Sequence, residues 1–227
     1  MFHREGHTIR THDLLELDAK HFISSQSSAP QWVKEDLSKR PFVVVRRGPE
    51  KGQEISIGVR GAERNQRWAA YCHPKLVKRI LTPSQLLSRT IHASRADAIP
   101  ALRALNLLKD RWEDIVLPWG PGGSVGFELA SGSHVAEPES DLDIVIHAER
   151  SMTAHEAKSL CARATNLPAA VDIRVETPVC GFSLSEFASQ SPAAILLRAP
   201  GGSVLGSDPW NDELRSIVNS NTTMQGD

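Results

Sequence analysis

Apolar positions along the chain recur with two periods, and together they outline a series of strands and helices. Val171, Ile173 and Val175 alternate with Asp172, Arg174 and Glu176, the period-two pattern of a half-buried strand. Leu142, Ile144 and Ile146 alternate in the same way with Asp141 and Asp143, so a strand there turns its carboxylates to one face and its aliphatic residues into a core. Residues 42–47 read as a strand, 48–52 as a Gly/Pro turn, and 54–60 as the hairpin partner. Residues 194–198 predict a strand that ends in a turn at 200–203, and residues 11–17 a short opening element. The helical period governs residues 97–112, where Leu102, Leu105, Leu108 and Trp112 share a stripe. Shorter helices are predicted at 32–38, stopped by Pro41, at 153–165 between two strands, and at 182–187; residues 24–31 read as a polar loop. A glycine turn at Gly61 leads into a predicted helix start near residue 69. Thr82 ahead of Pro83 is an N-cap signal, and a domain boundary is expected there.

Strands interleaved with helices make the chain α/β (α+β). The expected division is a smaller α/β N-terminal domain over residues 1–85, a catalytic domain over 86–218 and a flexible tail over 219–227. With 227 residues and 40% hydrophobic content, the chain can bury one large core or two modest ones. Three cysteines, Cys72, Cys161 and Cys180, lack metal spacing and suit buried free thiols in a reducing compartment. The first residues lack the apolar core of a signal peptide, and no run approaches a membrane span, so a cytoplasmic protein is expected.

The near-neutral total hides an asymmetry. Residues 39–95 carry 13 Lys or Arg against three acids, a balance of +10, and the remainder carries 13 basic and 24 acidic residues, a balance of −11. A basic front half suits a polyphosphate or an acidic protein. Nucleic acid is disfavoured as a partner, because the few Phe and Tyr residues are not interleaved with the basic ones as a stacking platform requires.

The most informative segment is Gly122-Gly123-Ser124, followed after a loop by Ser140-Asp141-Leu142-Asp143-Ile144. A glycine turn entering a helix leaves backbone N–H groups for phosphate oxygens, and the Ser124 hydroxyl can add a bond. Paired carboxylates repel unless a cation lies between them, and hard oxygen ligands of this kind suit Mg²⁺ or Mn²⁺. Asp172, on the later alternating strand, is the candidate third ligand or proton acceptor. Arg60, Arg64 and Arg67 cluster around Gly61 and are candidates for gripping substrate phosphates, since the guanidinium fork matches them. His3 and His7 could share a helix face, though scattered histidines more often have no metal role.

Gly-Ser followed by Ser-Asp-x-Asp with apolar flanks resembles the signature of the nucleotidyltransferase superfamily. Further segments narrow the resemblance: Arg10 to Leu15, Phe42-Val43-Val44-Val45-Arg46-Arg47, Ile57 to Gly61 with Gln66-Arg67-Trp68-Ala69, Trp119-Gly120, Gly181 to Glu186, and Leu196-Leu197-Arg198. Over residues 10–210 the chain is similar to the phosphoribosyl-dephospho-CoA transferases of malonate decarboxylase, the holo-acyl-carrier-protein synthases of that system. The resemblance implies a nucleotidyltransferase-fold C-terminal domain with a mixed sheet flanked by helices. It also implies transfer of 2′-(5-phosphoribosyl)-3′-dephospho-CoA from triphosphoribosyl-dephospho-CoA to a serine of the apo acyl carrier subunit, with release of pyrophosphate. Gly122, Gly123, Ser124 and Ser140 would then bind the triphosphate, Asp141, Asp143 and Asp172 would hold the metal, and the N-terminal domain would handle substrate or carrier. A nucleotidyltransferase with another acceptor, and a non-catalytic antitoxin-like module of the same fold, stay open as alternatives.

Overall fold

Two β-sheets, each with its own helices, divide the chain in this computed structural model, which describes residues 2–4, 7–49, 51–61, 63, 66–189 and 194–214. A short ribbon of β1 (Phe2–Arg4) and β2 (His7–Ile9) opens the chain, so His3 and His7 lie on paired strands and not on a helix. The first sheet is antiparallel throughout, in the order β6-β5-β4-β3-β7. Its strands are β3 (Leu14–Leu17), β4 (Phe42–Val45), β5 (Ile55–Arg60), β6 (Arg67–Cys72) and β7 (Val77–Leu81). Leu15, Leu17, Val43, Val45, Ile55, Ile57 and Val59 turn to one face, where Phe22 of α1 (Ala19–Ser25) and Val33 and Leu37 of α2 (Gln31–Lys39) cover them.

The second sheet is mixed, in the order β13-β12-β11-β10-β9-β8. Its strands are β8 (Trp119–Pro121), β9 (Leu142–His147), β10 (Val171–Glu176), β11 (Gly181–Ser183), β12 (Ile195–Ala199) and β13 (Gly202–Gly206). Only β9 and β10 run parallel, and they are linked through α7 (Ala154–Arg163) as a parallel crossover requires. One face of this sheet packs on α7, on α8 (Leu184–Ala188) and on Leu102, Leu105 and Leu108 of α5 (Pro100–Arg111), forming the largest core. The passage between sheets is α3 (Pro83–Leu86), held by a complete capping box between Thr82 and Gln85.

Several sequence expectations are corrected. The helix expected over 97–112 is broken into α4 (Ala93–Ala98) and α5, with Ile99 extended between them, because the residue before Pro100 is forced out of the helical region. The helix start expected after Gly61 is instead strand β6, whose Trp68 and Ala70 alternate inward against the first core. The polar loop at 24–31 begins late, since α1 runs to Ser25 behind an Asp18 cap that accepts the His21 N–H at 3.3 Å. Within 182–187, β11 precedes the helical turn of α8. The tail expected over 219–227 lies outside the described residues. The cysteines are free, with Cys72 and Cys180 buried and Cys161 half-buried. Among the described residues no helix is long and apolar enough to cross a membrane.

The sheets are joined in two ways. Phe127 and Ala130 of α6 (Gly123–Ser131) meet Leu14, Phe42, Leu81 and Leu86 in a third apolar cluster, with Phe42 and Phe127 edge to face at 6.3 Å. At the far end of β10, the buried Glu176 carboxylate accepts from His12 Nε2 at 3.0 Å and pairs with Arg47, both from the first sheet's side. Beside it, His147 Nε2 donates to the Thr11 carbonyl at 3.1 Å and Arg10 pairs with Glu149 at 2.8 Å. Burial alone would raise the Glu176 pKa, but the His12 hydrogen bond and the charges of His12 and Arg47 outweigh it and hold the carboxyl down at about 2.

Two stability predictions follow from these joints. The depressed Glu176 carboxyl contributes stability that is complete above its ordinary value of 4.5 and is lost as pH falls toward about 2. Glu176→Gln should therefore be less stable at pH 7 by about 3 kcal/mol and should lose that part of the acid dependence, as read by urea unfolding across pH. Gly120 packs against the Pro83 carbonyl so closely that an added Cβ would run into it. Gly120→Ala should reduce the unfolding free energy by about 2–3 kcal/mol in the same measurement, and an unchanged midpoint would refute the close approach.

Candidate active site

The faces that the two sheets do not bury in their own cores look toward each other across a cleft of about 580 Å³. Register alone fills its floor. Asp172 is the direct parallel partner of Asp143, and each stands on the opposite side of its strand from Leu142, Ile144 and Ile173. Along β10 the same face continues with Arg174 and Glu176. The roof follows the same logic: Val44 pairs with Gly58, Arg60 pairs with Arg67, and Ala69 pairs with Gly58. All of these line the cleft.

The glycine segment enters from one side. β8 pairs with β9, and the Gly122 N–H donates to the Asp143 carbonyl at 2.8 Å, which pins the start of α6 to the strand that carries Asp143. Gly122 is the N-cap and supplies no side-chain cap bond, so the first-turn N–H groups are available to an anion. Gly123 has φ +53° and lies so close to the Asp143 carboxylate that a Cβ would overlap Oδ2. Both facts demand glycine there.

Electrostatics concentrate on the carboxylate pair. Burial, and then the charge of Asp172, raise the Asp143 pKa; Arg60 and Arg174 oppose the rise, and Asp141 adds to it. Arg174 Nη2 lies 3.2 Å from Asp172 Oδ2, so one carboxylate already has a cation beside it. Among the described residues, no three His, Cys, Asp or Glu side chains are gathered closely enough to form a metal cluster by themselves. The donor set nonetheless fits a small hard cation, because Mg²⁺ commonly takes only one or two carboxylates and completes its shell with substrate phosphates and water.

Of the residues singled out from sequence, Gly122, Gly123, Asp143, Asp172, Arg60 and Arg67 share this cleft. Asp141 stands one residue ahead of β9 and is exposed, at the edge of the site and not on the strand. Ser124 is buried within α6, and Ser140 closes a turn in which its Oγ accepts the Glu137 N–H at 2.9 Å; neither lines the cleft. Arg64 lies outside the described residues. Sequence reasoning gave Arg46 only a share in the basic front half and assigned no role to Arg174 or Arg198, although all three line the cleft. A signal existed for each: Arg174 shares a strand face with Asp172, and Arg46 and Arg198 end apolar strand runs.

Two family models cover nearly the whole chain. The phosphoribosyl-dephospho-CoA transferase MdcG N-terminal domain matches residues 10–83, and the MdcG C-terminal domain matches residues 85–209. Among similar curated proteins, the phosphoribosyl-dephospho-CoA transferase of Azotobacter vinelandii is 36% identical over 190 residues, 82% of this chain and 88% of that protein. The Pseudomonas aeruginosa protein of the same name is 37% identical over 183 residues, 81% of this chain and 86% of its own length. That of Klebsiella pneumoniae is 33% identical over 210 residues, 91% of this chain and 98% of its own. No solved structure matches the chain significantly. With both family domains matched in order, and the cleft enclosed between the two stretches they cover, the chain belongs to the phosphoribosyl-dephospho-CoA transferase family.

Proposed function

We propose that this chain transfers the 2′-(5-phosphoribosyl)-3′-dephospho-CoA group from triphosphoribosyl-dephospho-CoA to a serine hydroxyl of the apo acyl carrier subunit of malonate decarboxylase. The observation that carries this reading is the in-register pair Asp143 and Asp172 facing the Gly122–Gly123 turn in one cleft. Carboxylates beside a phosphate cradle are the arrangement of an enzyme that moves a phosphoryl-linked group from a polyphosphate.

In this reading the acceptor oxygen attacks the innermost phosphorus of the triphosphate. The new O–P bond forms as the bond to the bridging oxygen breaks, and pyrophosphate departs. The first-turn N–H groups of α6 bind the non-bridging oxygens, and the Gly122 bond to the Asp143 carbonyl keeps them in line with the carboxylates. Asp172, with half of its side chain exposed and Arg174 Nη2 3.2 Å from its Oδ2, takes the serine proton. Asp141 and Asp143 would hold Mg²⁺ or Mn²⁺, with substrate phosphates and water completing the shell, and the ion would neutralise triphosphate charge. Arg60 and Arg67 bring positive charge from the roof to the same phosphates. A cytoplasmic location suits a carrier modified before its complex works, and the basic N-terminal half suits substrate or carrier handling.

Intact mass of the apo carrier after incubation with the protein, Mg²⁺ and the triphosphate donor should rise by one prosthetic group. Asp143→Ala should abolish the gain, and Asp172→Asn should slow it roughly 10²–10⁴-fold, the usual contribution of a positioned base. No mass gain with a folded protein and a competent donor would refute the transfer. Gly123→Ala should remain folded yet lose transfer, because the new methyl occupies the place of the Asp143 carboxylate; circular dichroism and the same mass assay separate the two effects.

A further inference from the structure

The carboxylate–glycine end occupies only one end of the cleft. Glu176 lies four residues further along β10 from Asp172, about 13 Å at the rise of a strand. The β10–β11 and β11–β12 registers set Gly181 beside Glu176 and Arg198 beside Gly181, so Arg198 shares that far row. From the roof, Arg46 directly precedes Arg47, whose guanidinium holds Glu176, and both arginines line the cleft. Gly58 leaves the roof bare beneath Arg46: a Cβ there would sit 2.7 Å from Arg46 Cδ, so the arginine stem lies across β5 where a side chain would otherwise stand.

Charge at this end is not balanced within the protein. Glu176 is already engaged by His12 and Arg47. Among the described residues, neither Arg46 nor Arg198 has a carboxylate partner. Arginines from opposite walls thus line one cleft beside apolar Val44, and the acid of that row, Glu176, is already engaged by His12 and Arg47. Such an arrangement attracts an anion with several acceptor oxygens.

We propose that Arg46 and Arg198 form a second anion station in the cleft, which holds the diphosphate joining the adenosine and pantetheine halves of the donor. The inference rests on the donor named above. That molecule carries a diphosphate on the adenosine 5′ oxygen and the triphosphoribosyl group on another oxygen of the same nucleoside, so it presents two separate polyphosphates. A cleft with stations at both ends selects it over an ordinary nucleoside triphosphate, which carries one polyphosphate and fills one station. Arg46 and Arg198 are thereby specificity-determining residues, remote from the reacting phosphorus.

The test uses dephospho-CoA, which has the diphosphate and lacks the triphosphate, titrated into the full-length protein by calorimetry. The wild-type protein should bind it, with affinity that falls as salt rises. Arg46→Gln and Arg198→Gln should each weaken binding about tenfold, the value of one charge-assisted contact. Arg46→Lys should retain part of the affinity, which keeps the test open should the glutamine variant unfold. Asp143→Asn should not weaken it, and adenosine should bind wild type and arginine variants alike. Absence of dephospho-CoA binding to the wild type, or equal binding by both glutamine variants, would overturn the proposal. So would a result in which those variants affect only the KM for the carrier, since the arginines would then serve an acidic protein. Failure of transfer to the carrier with dephospho-CoA binding intact would instead strike the acceptor reading and leave the station standing.

Discussion

The parallel pairing of β9 with β10 is the constraint on which the rest of the structure depends. Because side chains alternate along a strand, one register fixes two outcomes together. It sets Asp143 beside Asp172 on the open face, and it sets Leu142, Ile144, Ile146, Ile173 and Val175 in the main core. A slip by one residue would drive both carboxylates into an apolar interior and expose the aliphatic residues to the cleft. The hydrophobic effect therefore enforces the carboxylate pairing: each buried aliphatic side chain contributes about 1.5–3 kcal/mol, far more than repulsion between two partly solvated charges. The site needs no local device to bring its acids together, since the core does so.

Charge placed this densely must be balanced, and the balance is distributed across both sheets. Arg174 lies beside Asp172 on the same strand, and Arg60 reaches the neighbourhood of Asp143 from the roof. Glu176 is balanced by His12 and Arg47, neither of which belongs to its own sheet. Without the first sheet, Glu176 would be a carboxylate in an apolar rim with no partner, a state that burial strongly disfavours. The same pairs that stabilise Glu176 therefore hold the roof over the floor. His12 reaches it from a left-handed backbone conformation, φ +73°, set between Thr11, whose carbonyl is taken by His147, and β3. Strain in a non-glycine residue of this kind persists only where its surroundings enforce it.

Much of this was legible in the sequence where a single period ruled a segment. The strands at Leu142–His147 and Val171–Glu176 follow from alternation, and the helix expected between them is there, begun by a capping box of Thr153 and Glu156. The direct apposition of Asp143 and Asp172 did not, because strand neighbours and register are settled by long-range packing. Proline broke a helix that its apolar stripe made continuous, since the stripe of α5 begins again one residue after Ile99. Arg67 was expected near a helix start and stands on a strand, because six residues with small and aromatic side chains satisfy either period. The arginines of the roof and the far row were visible as residues but not as a group. Arg46 directly follows β4 of the first sheet, Arg174 and Arg198 come from two strands of the second, and only the facing of the sheets unites them.

Exposure along the floor also bears on how a small donor and a protein acceptor could share one cleft. Glu176 is buried, Asp143 is half-buried, and Asp172 and Asp141 are exposed. The ion pairs close the Glu176 end, while the carboxylate end, with Asp141 and Asp172 exposed, is open to solvent. On the proposed reading, the donor's reacting phosphorus sits at the open end, and the part of the donor that must be recognised extends toward the closed one. A serine on a folded carrier protrudes little beyond its own surface, so it can meet a phosphorus near the rim but not one at the bottom of a cleft. The order of the charges along β10 then has a physical reason. Chemistry with a bulky partner belongs at the mouth, recognition of a small one belongs inside, and a single strand carries both because its alternate residues share one face.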